Sequence, residues 1–443
     1  MHVLNRADVS IPTVAETVGT LAKHTDNFGV PLDYDRMTEY DAYYTIKGMK
    51  CRREIIRYTG LMVDPKDFKD SHFAGVLKSA GVVTGLLLTK KGDISLSAES
   101  LDSVVNTGLY SDEIVQLIKL YKESIECFKA VSVFDKIYEA YPISRMETFD
   151  NHRMIIVHPI WVQQNTGRIG AREPGIMNFG HNIHDVFTVP KGYRYIEVDS
   201  GQIEPRIIQS AYLNDQQLKK CTMLYNDAYY GYIHYCLFLT DEMRQSGTLD
   251  FQPIEITDEM KDLRKRFKTY GNATMYGSTE NILNDPYKAA FIRYIGGHPN
   301  RVAWQHRCEN DIDRGVRIVY SAFGTPIDIT KGPRYMTFED KYSKECISYL
   351  VRCSINNPIQ ATGADLMRYS VKKADALLAE KSPMSHILQY VHDAGKFAVY
   401  EDDYDDIIDE LKEITAYQVD DWIPIYAGVE EGVNPGNVPR FVA

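Results

Sequence analysis

Residues 193–206 read YRYIEVDSGQIEPR, and the fold turns on how this stretch is taken. From Tyr193 to Val198 polar and apolar side chains alternate, the period of two of a strand with one buried face. Asp199, Ser200 and Gly201 end the strand, and a helical pattern takes over from Arg206 to about residue 238, with Ile207, Ile208, Ala211 and Tyr212 on one face. Asp199 is therefore expected at a sheet edge, pointing into a cleft. Taken alone, it reads equally as a helix cap, since a carboxylate readily accepts the free N–H groups of a helix start. Chemical meaning requires a second carboxylate from elsewhere in the chain.

That partner is found almost two hundred residues on. HILQYVHDAGKFAVY (386–400) reads as two short strands joined by a turn at His392 and Asp393. A turn aspartate is ordinarily a turn former, so it too needs company. Residues 154–158 (MIIVH) form a further strand pattern, while 112–134 repeat apolar residues at three- and four-residue spacing, an amphipathic helix. Strands in the middle and at the end, with helices elsewhere, give an α+β fold class.

Between the two aspartates lie two segments with polar residues spaced by four. Thr257 can cap a helix that continues to Tyr276, on which Arg264, Lys268, Asn272 and Tyr276 recur. At about 100° per residue the four side chains span roughly 120° of one face. Two cations, an amide and an aromatic ring suit a triphosphate lying along the helix with its base near Tyr276; a solvated basic face with Tyr276 in the core accounts for the pattern as well. Gly271 costs a helix about 1 kcal/mol relative to alanine and points to close packing there. In RCSINNPIQATGADLM (352–367), Arg352, Asn356 and Gln360 recur in the same way. Pro358 is expected to prevent one straight helix. Amide and guanidinium groups projecting together can bond base edges in a minor groove, or the segment is a capped loop–helix junction.

Composition bounds these readings. With 443 residues, and roughly 100–200 per domain, two to four substructures are expected. Hydrophobic content of 44% and charged content of 25% are those of a soluble globular chain. No apolar run reaches the roughly 20 residues of a membrane span, and the N-terminus has no signal-peptide pattern. The seven cysteines form no CxxC pair, which excludes a zinc-site or disulfide framework and fits a reducing compartment. A net charge of −11 argues against a uniformly basic nucleic-acid binder but leaves room for local groups such as Lys90 and Lys91, or Arg264, Lys265, Arg266 and Lys268.

Taken together and in order, these segments resemble the family A DNA polymerases. The family's Asp-x-Ser-Gln-Ile-Glu-x-Arg is matched by DSGQIEPR, with Gly201 in the serine place and Pro205 in the leucine place. Its Arg-x3-Lys-x7-Tyr-Gly is matched by Arg264, Lys268, Tyr276 and Gly277, and its Val-His-Asp-Glu by Val391, His392 and Asp393, with Ala394 for the glutamate. Arg352, Asn356, Pro358, Gln360 and Thr362 match a further signature. NTGRIGAREPGIMN (165–178) resembles the segment whose arginine, here Arg168, tracks the minor groove. LTKKGDISLSAESL (88–101) resembles a thumb motif, and Tyr232, Ile233 and His234 resemble Asp-Ile-His. The resemblance covers residues 45 to 430 approximately.

The resemblance implies a right hand: a helical thumb at 70–150, a palm of antiparallel sheet and helices at 151–210 with 351–443, and helical fingers at 211–350. Asp199 and Asp393 would hold two Mg²⁺ ions, with Mn²⁺ as a substitute. Arg264, Lys268 and His234 would meet the triphosphate, with Lys268 also protonating pyrophosphate. Glu204 and Tyr276 would close the space beside the sugar 2′ position, and Asn272 stands where the family has an aromatic ring against the sugar. Arg168, Arg352, Asn356, Gln360 and His392 would follow primer–template DNA. Ala394, Gly170, Ala171 and Tyr232 are further departures. Residues 1–69 are too few for the family's 3′–5′ exonuclease, so that nuclease is expected as a separate polypeptide or as lost, with the segment its docking surface or vestige. The expected function is dNTP addition to a primer in replication, with other replication proteins as partners, in the cytoplasm of a bacterial or phage-infected cell. A single-subunit RNA polymerase, separable by comparing dNTP with rNTP incorporation, and an inactive DNA-binding scaffold are the alternatives.

Overall fold

The computed structural model describes residues 2–86, 93–141, 147–149, 152–179, 181–275, 285–391 and 393–431. Contacts divide the chain into two units, and the division does not follow chain order. One unit takes residues 1–30, 158–172 and 189–443; the other takes 31–157 and 173–188. Among the described residues, no helix is long and apolar enough to cross a membrane.

The first unit is built round a four-stranded antiparallel sheet in the order His386–Val391, Ala394–Tyr400, Tyr193–Ser200, Ala427–Glu431. The strand ending in Asp199 is therefore interior, paired on both sides, and not at a sheet edge as its sequence led us to expect. The strand 427–431 supplies the unforeseen second neighbour. Asp199 does stand at the strand's end, opposite Ala394 on one side and Gly428 on the other. Alternation sends Ile196, Val198 and Ser200 to one face. The helix Tyr404–Thr415 packs there, and Ser200 Oγ donates to the Thr415 carbonyl at 2.8 Å. Tyr195, Glu197 and Asp199 occupy the opposite face.

Two helices bring the other candidate residues. The helix Asp258–Met275 starts where its sequence predicts, with Thr257 Oγ1 accepting the Met260 N–H at 3.3 Å. Its apolar side, Met260, Leu263 and Phe267, joins the core with Tyr232 and Phe291. The long helix Lys344–Lys381 holds Pro358 inside one continuous element. A proline removes the N–H that would bond the carbonyl four residues back. That carbonyl, of Ser354, instead accepts from the Cys308 thiol at 3.7 Å. Further along, Asp365 and Arg368 form a buried ion pair. Ser321 and Thr325 also bond Asp365, at 2.5 and 2.9 Å, and Arg368 Nη1 donates to the Gly167 carbonyl at 3.3 Å.

Residues 2–28 are tied into the same unit. His2–Leu4 pairs in parallel with Tyr417–Val419. The helix Val14–Asn27, opened by a capping box of Thr13 and Glu16, packs on the long helix and on the strand 386–391. There Phe28 stacks on His386 at 4.5 Å, with His24 edge-on at 5.9 Å.

The second unit rests on two long helices, Tyr34–Thr59 and Asp112–Ala140. Gly48 lets them approach, since a Cβ there would lie 2.8 Å from the Phe128 ring. Ile55, Phe73, Leu77, Leu101, Val104 and Ile118 fill the core beside Tyr121, whose hydroxyl donates to Asp70 at 2.7 Å. All seven cysteines are free thiols, in line with the absence of a disulfide pattern.

Candidate active site

A cleft of about 540 Å³ in the first unit is lined by Arg168, Asp199, Gly201, Gln202, Ile203, Glu204, Pro205, Tyr229, Arg264, Lys268, Gly363 and Asp393. Six of the residues singled out from sequence meet there: Arg168, Asp199, Glu204, Arg264, Lys268 and Asp393.

Strand pairing places the two aspartates side by side. Asp393 immediately precedes Ala394, the partner of Asp199, and its carbonyl accepts the Ser200 N–H at 2.9 Å. Burial pushes the Asp393 carboxyl up to about 7, and the neighbouring charge of Asp199 adds to the shift. Its own backbone N–H and Arg168 oppose this without reversing it. Two acids held this way repel, and a shared cation would relieve the repulsion. The residues flanking Asp199, Ala394 and Gly428, are small, and a Cβ at Gly428 would meet nothing within 4 Å.

The donor set fits magnesium. Among the described residues no group of three or more His, Cys, Asp or Glu side chains is arranged to hold a metal ion. Mg²⁺ is commonly bound through one or two carboxylates, with water and substrate phosphates completing its shell. Two carboxylates beside open space are such a partial set.

Cations line the same cleft. Lys268 is exposed and lines the cleft one helical turn from Arg264. Arg264 bonds Asp227 Oδ2 through Nε at 2.9 Å and Nη2 at 2.8 Å. Arg168 is ion-paired to Glu204. Tyr229 is buried, its hydroxyl pushed up to about 12 by burial, with Arg264 opposing and the acids Asp227, Glu204 and Asp393 adding.

Other expected residues are placed elsewhere. His234 is buried, shares a 2.7 Å hydrogen bond with the Tyr225 hydroxyl and sits 5.3 Å from the Phe251 ring, outside the cleft lining. Burial holds its imidazole below the ordinary range. Arg352 lies on the long helix, donates to Ser348 Oγ at 2.6 Å and lines a separate cavity with Arg301, Tyr342 and Lys344. Asn356 and Gln360 lie on the same helix, and the Asn356 Oδ1 is buried with no hydrogen-bond partner among the described residues. Tyr276 and His392, the side chain of Asn272, and Lys90 and Lys91 in the thumb motif fall outside the described residues.

Sequence reading passed over Gln202, Asp227, Tyr229 and Gly363. Gln202 was within the first signature and Gly363 within the last. Asp227 carried a cap signal, NDAYYG, at residues 226–231. Tyr229 carried none, because its place in the wall depends on how its helix packs.

The chain was compared with known proteins. No family model matches it. It is 22% identical over 426 residues to DNA polymerase I of Caldicellulosiruptor bescii, covering 92% of this chain and 45% of that one. It is 28% identical over 282 residues to the thermostable DNA polymerase I of Thermus filiformis, covering 60% of this chain and 30% of the relative. The chain thus spans less than half the length of these curated relatives. Among solved structures it is similar to the polymerase domain of Pol1 from M. smegmatis, in complex with DNA primer–template and dNTP. That likeness has a TM-score of 0.72 at 18% identity, over 95% of this chain and 69% of that one, and it shows the α+β polymerase-domain fold. Over the matched residues the chain is similar to these DNA polymerase I proteins in sequence and to a polymerase domain in fold.

Proposed function

We propose that this protein is a template-directed DNA polymerase that adds deoxynucleotides to a primer 3′ end. The observation that carries the reading is the meeting of Asp199, near the end of one strand, and Asp393, in the turn before its neighbour, with Arg264 and Lys268 in the lining of one cleft. Asp199 and Asp393 would hold two divalent ions, Mg²⁺ or Mn²⁺. When bound, these supply activation of the primer hydroxyl and charge neutralisation at the leaving pyrophosphate. Lys268 and Arg264 bind the triphosphate oxygens and stabilise the charge that develops on them. Lys268, the more exposed of the two, donates a proton to the departing pyrophosphate. Glu204, fixed by Arg168, borders the sugar, and Tyr229 takes the cleft position expected for His234. Asn272 and Tyr276 complete the nucleotide pocket. Arg168, Arg352, Asn356, Gln360 and His392 follow the primer–template.

Palm, thumb and fingers are our names for 151–210 with 351–443, 70–150 and 211–350 respectively. The bacterial relatives support a setting in bacterial cytoplasm. The test is primer extension with Mg²⁺ and dNTPs, then with rNTPs. Wild type should extend with dNTPs, and Asp199→Asn should lower the rate at least about a thousandfold, roughly 4 kcal/mol of barrier. A wild type inactive with either metal would refute the reading, and preference for rNTPs would move it to RNA synthesis.

A further inference from the structure

Arg264 does not hang free at the wall of the cleft. Its guanidinium meets Asp227 edge-on, with Nε at 2.9 Å and Nη2 at 2.8 Å from the same oxygen, Oδ2. That oxygen also accepts Gln202 Nε2 at 2.5 Å. The other oxygen, Oδ1, caps the helix Ala228–Ile233 by accepting the N–H groups of Tyr229 and Tyr230, both at 2.9 Å. Gln202 returns the contact through Oε1, which accepts the Ala228 N–H at 2.6 Å. Gln202 is three residues beyond Asp199, in a left-handed conformation with φ of 59° that turns its amide toward Asp227. Arg206, buried in the same segment, donates to the Asn226 carbonyl at 2.7 Å and pins the residue next to Asp227. Asp227 is thus fastened to the segment that begins with Asp199, and Arg264 is fastened to Asp227.

Two features favour positioning over neutralisation. The carboxylate is shared among five N–H donors and is mostly buried, with 13% of its side chain exposed. Its charge is distributed over a built network, not spent on one arginine. The guanidinium has five N–H groups in a planar fork, and the edge bearing Nη1 has no partner among the described residues, in a side chain 32% exposed at the cleft. Rings of Tyr229 and Tyr230 lie 5.4 and 5.7 Å from its centre and restrict its swing. An arginine so held has already lost rotamer freedom and offers its remaining edge to a phosphate.

We infer that Asp227 is the positioning residue for Arg264: with Gln202 it holds the guanidinium so that its free edge meets the triphosphate of the incoming nucleotide. The inference rests on the polymerase reading. Asp227→Asn separates it from a structural role. Asparagine keeps Oδ1 as helix cap but places an amide N–H where Oδ2 received Gln202 and Arg264. The expected result is a dNTP KM about tenfold higher with kcat lowered less than about threefold, the split of a lost binding interaction. In an Arg264→Lys background the same change should add almost nothing, since the two act through one contact. Asp227→Glu, which keeps the charge, should recover part of the KM.

An Asp227→Asn enzyme with wild-type KM overturns the assignment, as do a lower KM, which would make Asp227 a competitor of phosphate, and additive effects with Arg264→Lys. Calorimetric binding of inorganic tripolyphosphate, without primer, reads the same fork with no chemistry. Wild type that binds it and is weakened by Asp227→Asn, yet never extends a primer, removes the polymerase reading and leaves Asp227 standing. Wild type that extends primers while Asp227→Asn binds tripolyphosphate equally well removes Asp227 alone. Wild type that neither binds nor extends removes both.

Discussion

Asp199 stands between Ala394 and Gly428. With Asp199 and Glu204 in the same cleft lining, the burden of charge falls on Asp393. Its carboxyl, raised to about 7, is protonated in the folded metal-free chain at pH values where the unfolded chain has already ionised it. The folded state then binds more protons, so this group's stabilising contribution is present at low pH and is lost as pH rises through about 7. We expect Asp393→Asn to raise the melting temperature in EDTA at pH 8 by a few degrees while abolishing extension. Mg²⁺ should stabilise wild type and leave the variant unmoved in a thermal scan. The pair was legible in sequence because Asp199 stands near the end of a strand and Asp393 in the turn before another, where register is a local matter. For His234, expected at the triphosphate, motif spacing could not show its bond to Tyr225 or its place beside Phe251.

Among elements, the helix Val14–Asn27 shows how burial outweighs attraction. His24 lies 3.0 Å from Asp375, yet burial lowers its pKa despite that carboxylate. His386 beneath it falls to about 4, through burial first and His24 second. Both rings are neutral in the fold and take up protons on unfolding below the ordinary histidine range, so stability falls with pH from about 6.5 to about 4. Urea denaturation at pH 7.5 and 5 should show this loss, and His386→Phe should diminish it; an equal loss in the variant would refute the account. The long helix carries a different lesson. Pro358 was expected to prevent one straight helix, and the element continues through it where a thiol from another helix serves the orphaned carbonyl. The interior place of the Asp199 strand was illegible for a similar reason, since its second neighbour lies at 427–431 and announces itself by no alternation.

At the scale of the whole molecule, the net charge of −11 sits beside a cleft with cations in its lining. The cations we propose for phosphate are Arg264 and Lys268 for the triphosphate, and Arg168 and Arg352 for primer–template. If Arg168 and Arg352 neutralise about two phosphates, log affinity for primer–template should fall with log salt at a slope of about −1.8. Anisotropy titrations between 50 and 200 mM NaCl, concentrations at which such slopes are read, measure it. A slope steeper than about −7 would mean an interface larger than these residues supply. The α+β class and the order of the segments were legible from end to end. The division into units was not, because it groups residues 1–30 with 189–443 through contacts that no local pattern encodes.

The pairing of His2–Leu4 with Tyr417–Val419 also sets a clock on biosynthesis. The strand His2–Leu4 has no partner until some four hundred further residues are translated, roughly 20–80 s at about 5–20 residues per second. The unit of residues 31–157 and 173–188 has its whole sequence available by Thr188, before Asp199 or Asp393 has been made. The nascent chain must therefore keep His2–Leu4 unpaired while an inserted body matures behind it, and the sheet that joins Asp199 to its neighbours is assembled only after the strand Ala427–Glu431 has been made.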